Sequence, residues 1–266
     1  SPIVMVTGAA GNVGRALLAT LASGGHRIVA IDRQAAAIEE LLAPFGGRER
    51  HLVLPDLDLF DAAACDGAIR ASLARYGRID GIAHTVGGFA SAAAAEGGPE
   101  LWEQMYRLNV LTTLNIFRAA LPPMRAVGRG SLVAIGAGAA IKAPAGLSAY
   151  AGAKSAVHRL IESFADELKT DGIRVNAILP SIIDTPQNRA AMPDADHEAW
   201  VRPREIADAM RSIVRTHESD GGSLDALAEL LTPELIGEDP TRDRDGMTLE
   251  EFGLPLNLML SVPGRI

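Results

Sequence analysis

Residues 7–14 read Thr7-Gly8-Ala9-Ala10-Gly11-Asn12-Val13-Gly14. The stretch follows an apolar, β-branched run, Ile3 to Thr7, and opens a helical-length segment, Asn12 to Ser23. Gly8 lets the chain turn sharply off the strand. Gly11 leaves room for backbone to approach a pyrophosphate, and Gly14 lets the helix pack closely on the sheet. The first N–H groups of the helix, with the positive end of its dipole, then form an anion site. A glycine pattern alone is weak evidence. Its position between a strand and a helix makes it a dinucleotide turn, with Ala10, Asn12 and Val13 on the same surface.

A second strand is expected from Arg27 to Ile31. Asp32 ends it, 18 residues after Gly14. A carboxylate there accepts hydrogen bonds from ribose hydroxyls and repels a 2′-phosphate, which favours NAD over NADP. Arg33 is the adjacent group that would meet a 2′-phosphate. Asp56 and Leu57, after the third strand, are placed to flank an adenine.

Strand and helix patterns then alternate. Helices are expected at Ala35 to Ala43, Ala62 to Tyr76, Pro99 to Leu121 and Ser148 to Thr170. Strands are expected at His51 to Leu54, Ile79 to Thr85, Ser131 to Ile135 and Arg174 to Leu179. Such alternation means parallel strands joined by crossover helices. The predicted fold is α/β: a doubly wound, mostly parallel Rossmann-type sheet in a single domain over residues 1–266, with ligands at the carboxyl ends of the strands.

Composition fits this. Hydrophobic residues make up 48% and charged residues 22%, as in soluble globular domains. A net charge of -8 argues against a nucleic-acid surface. Cys65 is the only cysteine, so no internal disulfide forms and a reducing, cytoplasmic setting is expected. With no basic neighbour in sequence, its thiol is expected to be inert. No apolar run reaches membrane-spanning length, and the chain enters an apolar strand at once without a basic leader. The six histidines show no metal-ligand spacing, and no metal is expected. A Thr241-to-Glu251 acidic stretch hints at a calcium loop but lacks its first and twelfth ligands.

Tyr150 and Lys154 lie four apart at the start of a long helix, on one face. A nearby ammonium favours the phenolate and lowers a tyrosine pKa. Such a phenol can pass a proton to a carbonyl oxygen. Alone, the spacing is common. In order with the glycine turn, Asn109, Pro180 and Thr185, it resembles the short-chain dehydrogenase/reductase family from residue 3 to about 213. The resemblance implies Tyr150 as acid/base and Lys154 as the group that tunes it and holds the nicotinamide ribose. It implies that Asn109 keeps a proton-relaying water. Thr185 and the Ile183 backbone would hold the carboxamide. The segment His84-Thr85-Val86-Gly87-Gly88 sits where the family has its Asn-Asn-Ala-Gly motif beside the cofactor. A small-molecule substrate and a homodimer or homotetramer follow from the same resemblance.

Two departures stand out. The family usually has a serine thirteen residues before the tyrosine; here it is Ala137. Losing one oxyanion donor costs on the order of 3 kcal/mol. Three readings follow: Ser148 substitutes, the substrate is other than a simple ketone, or turnover is weak or lost. Dihydropteridine reductases within the family also lack the serine, and Val86-Gly87-Gly88 with Ala137 is similar to them. The expected activity is NAD(H)-dependent interconversion of a carbonyl or quinonoid substrate; the alternative is an NAD-binding regulatory or scaffold protein. The second departure is an acidic insert over residues 216–253, before a last strand expected at Leu256 to Val262. Residues 186–200 take the place of the family's substrate loop, with Met192, His197 and Trp200 as pocket candidates. Met105, Leu108, Phe117, Val157, Ile161 and Phe164 form helical stripes expected in the core or at a subunit contact.

Overall fold

The computed structural model describes residues 1–215 and 259–262. Seven strands form one sheet in the order β3-β2-β1-β4-β5-β6-β7. They are β1 (Ile3–Thr7), β2 (Arg27–Asp32), β3 (Leu52–Pro55), β4 (Gly81–His84), β5 (Gly130–Ile135), β6 (Ile173–Pro180) and β7 (Met259–Val262). Every neighbouring pair is parallel. The helices are α1 (Asn12–Ser23), α2 (Ala35–Leu42), α3 (Gly47–Arg50), α4 (Ala62–Tyr76), α5 (Pro99–Tyr106), α6 (Thr112–Val127), α7 (Ser148–Leu168), α8 (Pro186–Ala191) and α9 (Pro203–Arg215). The doubly wound Rossmann architecture is therefore present.

Alternation along the strands divides the core in two. Ile3 and Met5 face one cluster with Ile82, Leu132, Ile116, Phe117, Val157 and Ile161. Val4 and Val6 face the other, with Leu17, Leu18, Leu21, Ile206 and Met210. Of the stripe residues, Met105, Phe117, Val157 and Ile161 are buried in the first cluster, and Leu108 and Phe164 pack against it. No helix among the described residues is long and apolar enough to cross a membrane.

Several boundaries differ from the sequence expectation, for physical reasons. Strand three starts one residue later because the buried His51 ring accepts the Ile28 N–H at 3.2 Å, and it runs on to Pro55. Proline is tolerated there because β3 is an edge strand. Strand four is shorter than Ile79 to Thr85, since the Asp80 carboxylate takes the Ile3 N–H at 2.8 Å. The single helix expected from Pro99 to Leu121 is instead α5, a π-helical turn at Arg107–Leu111, and α6. It continues through Pro122 and Pro123 to Val127. Tertiary contacts hold that last turn: Met124 is fully buried, and Arg125 pairs with Glu167 and Asp171. The helices expected to end at Ala43 and Thr170 close in 3₁₀ turns from Ala43 and from Lys169. The last strand is described over Met259–Val262; the first three residues of the strand expected at Leu256 to Val262 lie outside the described residues. The 216–253 insert and the Thr241-to-Glu251 stretch lie outside the described residues.

The glycine turn depends on close packing. A β-carbon at Gly14 would lie 2.1 Å from the Gly8 carbonyl oxygen and 2.8 Å from the Ala9 Cα. Both neighbours are backbone, so the turn itself would have to move. Gly14→Ala is expected to destabilise the fold by about 1–3 kcal/mol, read as a lower urea midpoint.

Candidate active site

The carboxyl ends of β1, β2, β4, β5 and β6 lie side by side, and the sequence-predicted residues gather there. Thr7 ends β1 beside Ile31 and His84. The glycine turn follows, with Gly8 at φ 68°. α1 starts with no side chain capping its first turn, so its leading N–H groups stay available to an anion. Asp32 Oδ2 accepts the Ala10 N–H at 3.0 Å and Oδ1 accepts the Gln34 N–H at 3.2 Å. The carboxylate expected to meet a ribose therefore also ties β2 to the turn. Arg33 beside it is exposed. Asp56 has φ 54°, the only left-handed non-glycine among the described residues. Asp tolerates that conformation better than most residues, and it turns the chain at the end of β3, where Leu57 packs against the core. Asn12 Nδ2 donates to Gln187 Oε1 at 3.0 Å, joining the turn to the 186–200 segment.

Gly87 and Gly88 pass close to Asn109 and Lys154. A β-carbon at Gly87 would lie 2.9 Å from Asn109 Oδ1 and 3.4 Å from Lys154 Nζ. Asn109 sits in the π-helical turn. Its Oδ1 accepts the Gly88 N–H at 3.2 Å, and its Nδ2 donates to the Gly88 and Met105 carbonyls at 3.1 and 2.9 Å. Val86 packs partly against the core. The widened turn disturbs the usual helix ladder, and Thr112 and Thr113 hydroxyls donate to the Leu108 and Asn109 carbonyls at 2.8 and 2.7 Å.

Tyr150 and Lys154 share one face of α7. Lys154 is buried, and its Nζ donates to the Ile135 carbonyl at the end of β5 at 2.7 Å. Burial pushes its pKa down to about 8. Lys154 Nζ lies 6.0 Å from the centre of the Tyr150 ring. The Tyr150 ring meets Phe89 edge-on at 5.0 Å. The expected depression of the tyrosine pKa is not what this arrangement produces: burial pushes the phenol up to about 12. The ammonium is engaged by a carbonyl instead, while desolvation acts on the phenol directly.

Ala137 follows β5 in extended conformation and is buried. Its N–H faces His158 Nε2 at 3.4 Å. Ser148 is the first residue of α7 and is exposed. It stands two residues before Tyr150, a spacing at which helix side chains do not face one another. Pro180 ends β6. Ile183 pairs with Val201, and its carbonyl accepts from Asn188 Nδ2 at 2.8 Å. Thr185 caps α8 by accepting the Asn188 N–H at 3.1 Å, which leaves its hydroxyl proton free to donate. In the 186–200 segment, the His197 and Trp200 rings are 4.4 Å apart and His197 Nε2 is 2.9 Å from the Met192 carbonyl. Trp200 is buried, so these three fasten the segment to itself. Burial and the carboxylates of Asp61, Asp66 and Asp58 push the Cys65 thiol up to about 12, in keeping with an inert thiol.

Sequence reasoning missed two buried histidines. His84 Nδ1 is 2.7 Å from Thr7 Oγ1, and its Nε2 is 3.3 Å from Thr112 Oγ1. His158 lies against Gly136, where a β-carbon would come within 2.5 Å of its Nε2. The spacing 150, 154, 158 was the available signal for His158, since all three fall on one helical stripe.

A family model described as short chain dehydrogenase matches residues 2–196. The chain is 32% identical over 215 residues to D-threitol dehydrogenase of Mycolicibacterium smegmatis, covering 80% of this chain and 78% of that protein. It is 32% identical over 193 residues to 2-(R)-hydroxypropyl-CoM dehydrogenase of Xanthobacter autotrophicus, covering 71% and 77%. Carveol dehydrogenase from Mycobacterium avium, solved in complex with NAD, has the same fold: TM-score 0.72 at 24% identity, over 83% of this chain and 94% of that one. The chain belongs to the short-chain dehydrogenase/reductase family. It is an oxidoreductase of a family that binds nicotinamide cofactors.

The histidines make stability depend on pH. Burial first, then the Lys154 charge, lowers His84 to about 3, and burial, Lys154 and Arg159 lower His158 to about 4, both from 6.5. Above pH 6.5 neither state takes up a proton. Below it the unfolded chain does and the folded chain does not, so stability falls as the pH drops toward 4. His158→Gln is expected to flatten the urea-midpoint profile between pH 6.5 and 4.

Proposed function

We propose that the protein is an NAD(H)-dependent oxidoreductase that interconverts a carbonyl or quinonoid substrate and its reduced form. One observation carries the reading: Tyr150 and Lys154 stand together at the carboxyl end of the sheet, with Lys154 Nζ against both Ile135 and Gly87. The residues present fit a dinucleotide. The uncapped start of α1 offers N–H groups to a pyrophosphate, and Gly87, where a β-carbon would meet Asn109 Oδ1 at 2.9 Å, keeps the backbone close to Asn109 and Lys154. Asp32 favours NAD; Arg33 is the one neighbour that would favour NADP. Asp56, Leu57 and Val86 would flank the adenine side, and Pro180, Ile183 and Thr185 the carboxamide.

The bound nicotinamide supplies or takes up the hydride. The chain's own residues handle the proton. Burial favours the neutral phenol of Tyr150, the form that donates a proton from Oη to a substrate oxygen. By the family resemblance Lys154 would support the return of that proton, and Asn109 would hold a relaying water. Ala137 offers no side-chain donor to the substrate oxygen. Ser148 or a water would have to supply it, or the substrate would have to spread its developing charge over a conjugated ring. A homodimer or homotetramer in the cytoplasm completes the reading. It is supported by Trp102 and Tyr106, which are exposed on α5 beside α7, and by the lone buried thiol.

The test is oxidation of NADH and NADPH across ketones and quinonoid pterins. NADH is expected to be preferred, and Tyr150→Phe to lose about 100-fold or more in turnover. Equal turnover by the variant refutes the role of Tyr150. Ala137 favours one second reading, an NAD-binding protein with little turnover and a regulatory or scaffold role. That reading requires NADH binding without oxidation on every substrate, and activity gained in Ala137→Ser.

A further inference from the structure

The amino-terminal side of the sheet, opposite the glycine turn, holds a second feature. A groove of about 510 Å³ there is bordered by Ser1, Arg27, Gly46, Glu49, Arg50, Arg75 and Tyr76. Arg27 begins β2, Arg50 ends α3, and Arg75 and Tyr76 end α4. The guanidinium carbons of Arg27 and Arg75 each lie 5.8 Å from the centre of the Tyr76 ring. Tyr76 is itself fixed, its hydroxyl donating to the Arg50 carbonyl at 3.0 Å.

Glu49 also borders the groove, but none of the Arg27, Arg50 and Arg75 guanidiniums pairs with it. Arg50 Nη2 donates to the Gly25 carbonyl. Arg75 Nη2 donates to the Arg48 and Glu49 carbonyls at 3.3 and 2.6 Å. These partners are neutral backbone. Among the described residues no carboxylate lies within 4.0 Å of the three guanidiniums. By contrast Arg48, Arg78 and Arg189 each pair with one, and Arg125 with two. Arg50 Nε is buried without a hydrogen-bond partner. Three cations thus converge beside one unpaired carboxylate, Glu49, leaving an excess of positive charge in a chain whose net charge is -8.

Guanidinium forks match tetrahedral oxyanions in charge and geometry. The groove is larger than one such group needs and falls in the size range of small-molecule sites. It is separate from the dinucleotide turn: the six residues of β2 lie between them, about 20 Å at strand rise. We propose that this groove binds a small phosphorylated molecule, with its phosphoryl oxygens held by Arg27, Arg50 and Arg75.

The probe is pyrophosphate, titrated calorimetrically into the full chain at low ionic strength with and without NADH. Saturable binding is expected that NADH does not displace. Arg27→Gln and Arg75→Gln are each expected to weaken it about tenfold or more. Arg27 is exposed and its side chain makes no backbone bond, so that variant tests the site without disturbing the fold; circular dichroism checks this. Equal affinity in wild type and Arg27→Gln overturns the proposal. So does displacement by NADH, which would put the probe at the glycine turn. Citrate binding tighter than pyrophosphate would overturn the phosphoryl assignment.

Discussion

Among the described glycines, Gly14 leaves a β-carbon the least room. Gly14 opens α1 directly over the Gly8 carbonyl, with no room for a β-carbon between them. That approach lets α1 lean onto the sheet, where Leu17, Leu18 and Leu21 complete one of the two cores. It also sets where the first turn of α1 points. Asp32 reinforces the arrangement from the neighbouring strand by accepting the Ala10 N–H. The packing of α1 and the direction of its first N–H groups are thus two results of one constraint, and a side chain at Gly14 would spoil both.

The chemistry-bearing end of the sheet is built from desolvated polar groups. Lys154, His84 and His158 are all buried. Each keeps a short-range partner: a carbonyl, two hydroxyls and an amide, respectively. Buried polar groups are costly unless bonded, so this part of the fold has little freedom to rearrange. Ala137 sits inside that shell rather than at its edge. The backbone there is held by the His158 contact whatever side chain the position carries.

Much of this was legible in the sequence. α4 has the boundaries expected of it because both ends carry local signals: Asp61 caps the start through the Ala63 N–H, and Gly77 ends it at φ 75°. The glycine turn, Asp32 and the Tyr150–Lys154 face were equally readable, since spacing along one element determines them. What escaped was set by distant segments. α6 runs past Pro122 and Pro123 because Arg125 finds Glu167 and Asp171, more than forty residues away. The direction of the Tyr150 shift depends on burial, with Phe89 packed edge-on against its ring from another loop. His84 looked like a member of a loop motif, yet both its ring nitrogens meet hydroxyls from β1 and α6.

The π-helical turn at Arg107–Leu111 has a wider meaning. Such a turn is an α-helix that has absorbed one additional residue. At about 100° per residue, the extra step puts the faces of α5 and α6 out of phase. α5 can therefore aim Trp102 at Gly152 of α7 while α6 sends Ile116 and Phe117 into the core. The residue count on one side of the turn is freed from the count on the other. Asn109 occupies the join between two independently phased helices, where its side chain can leave the rod and grip Gly88.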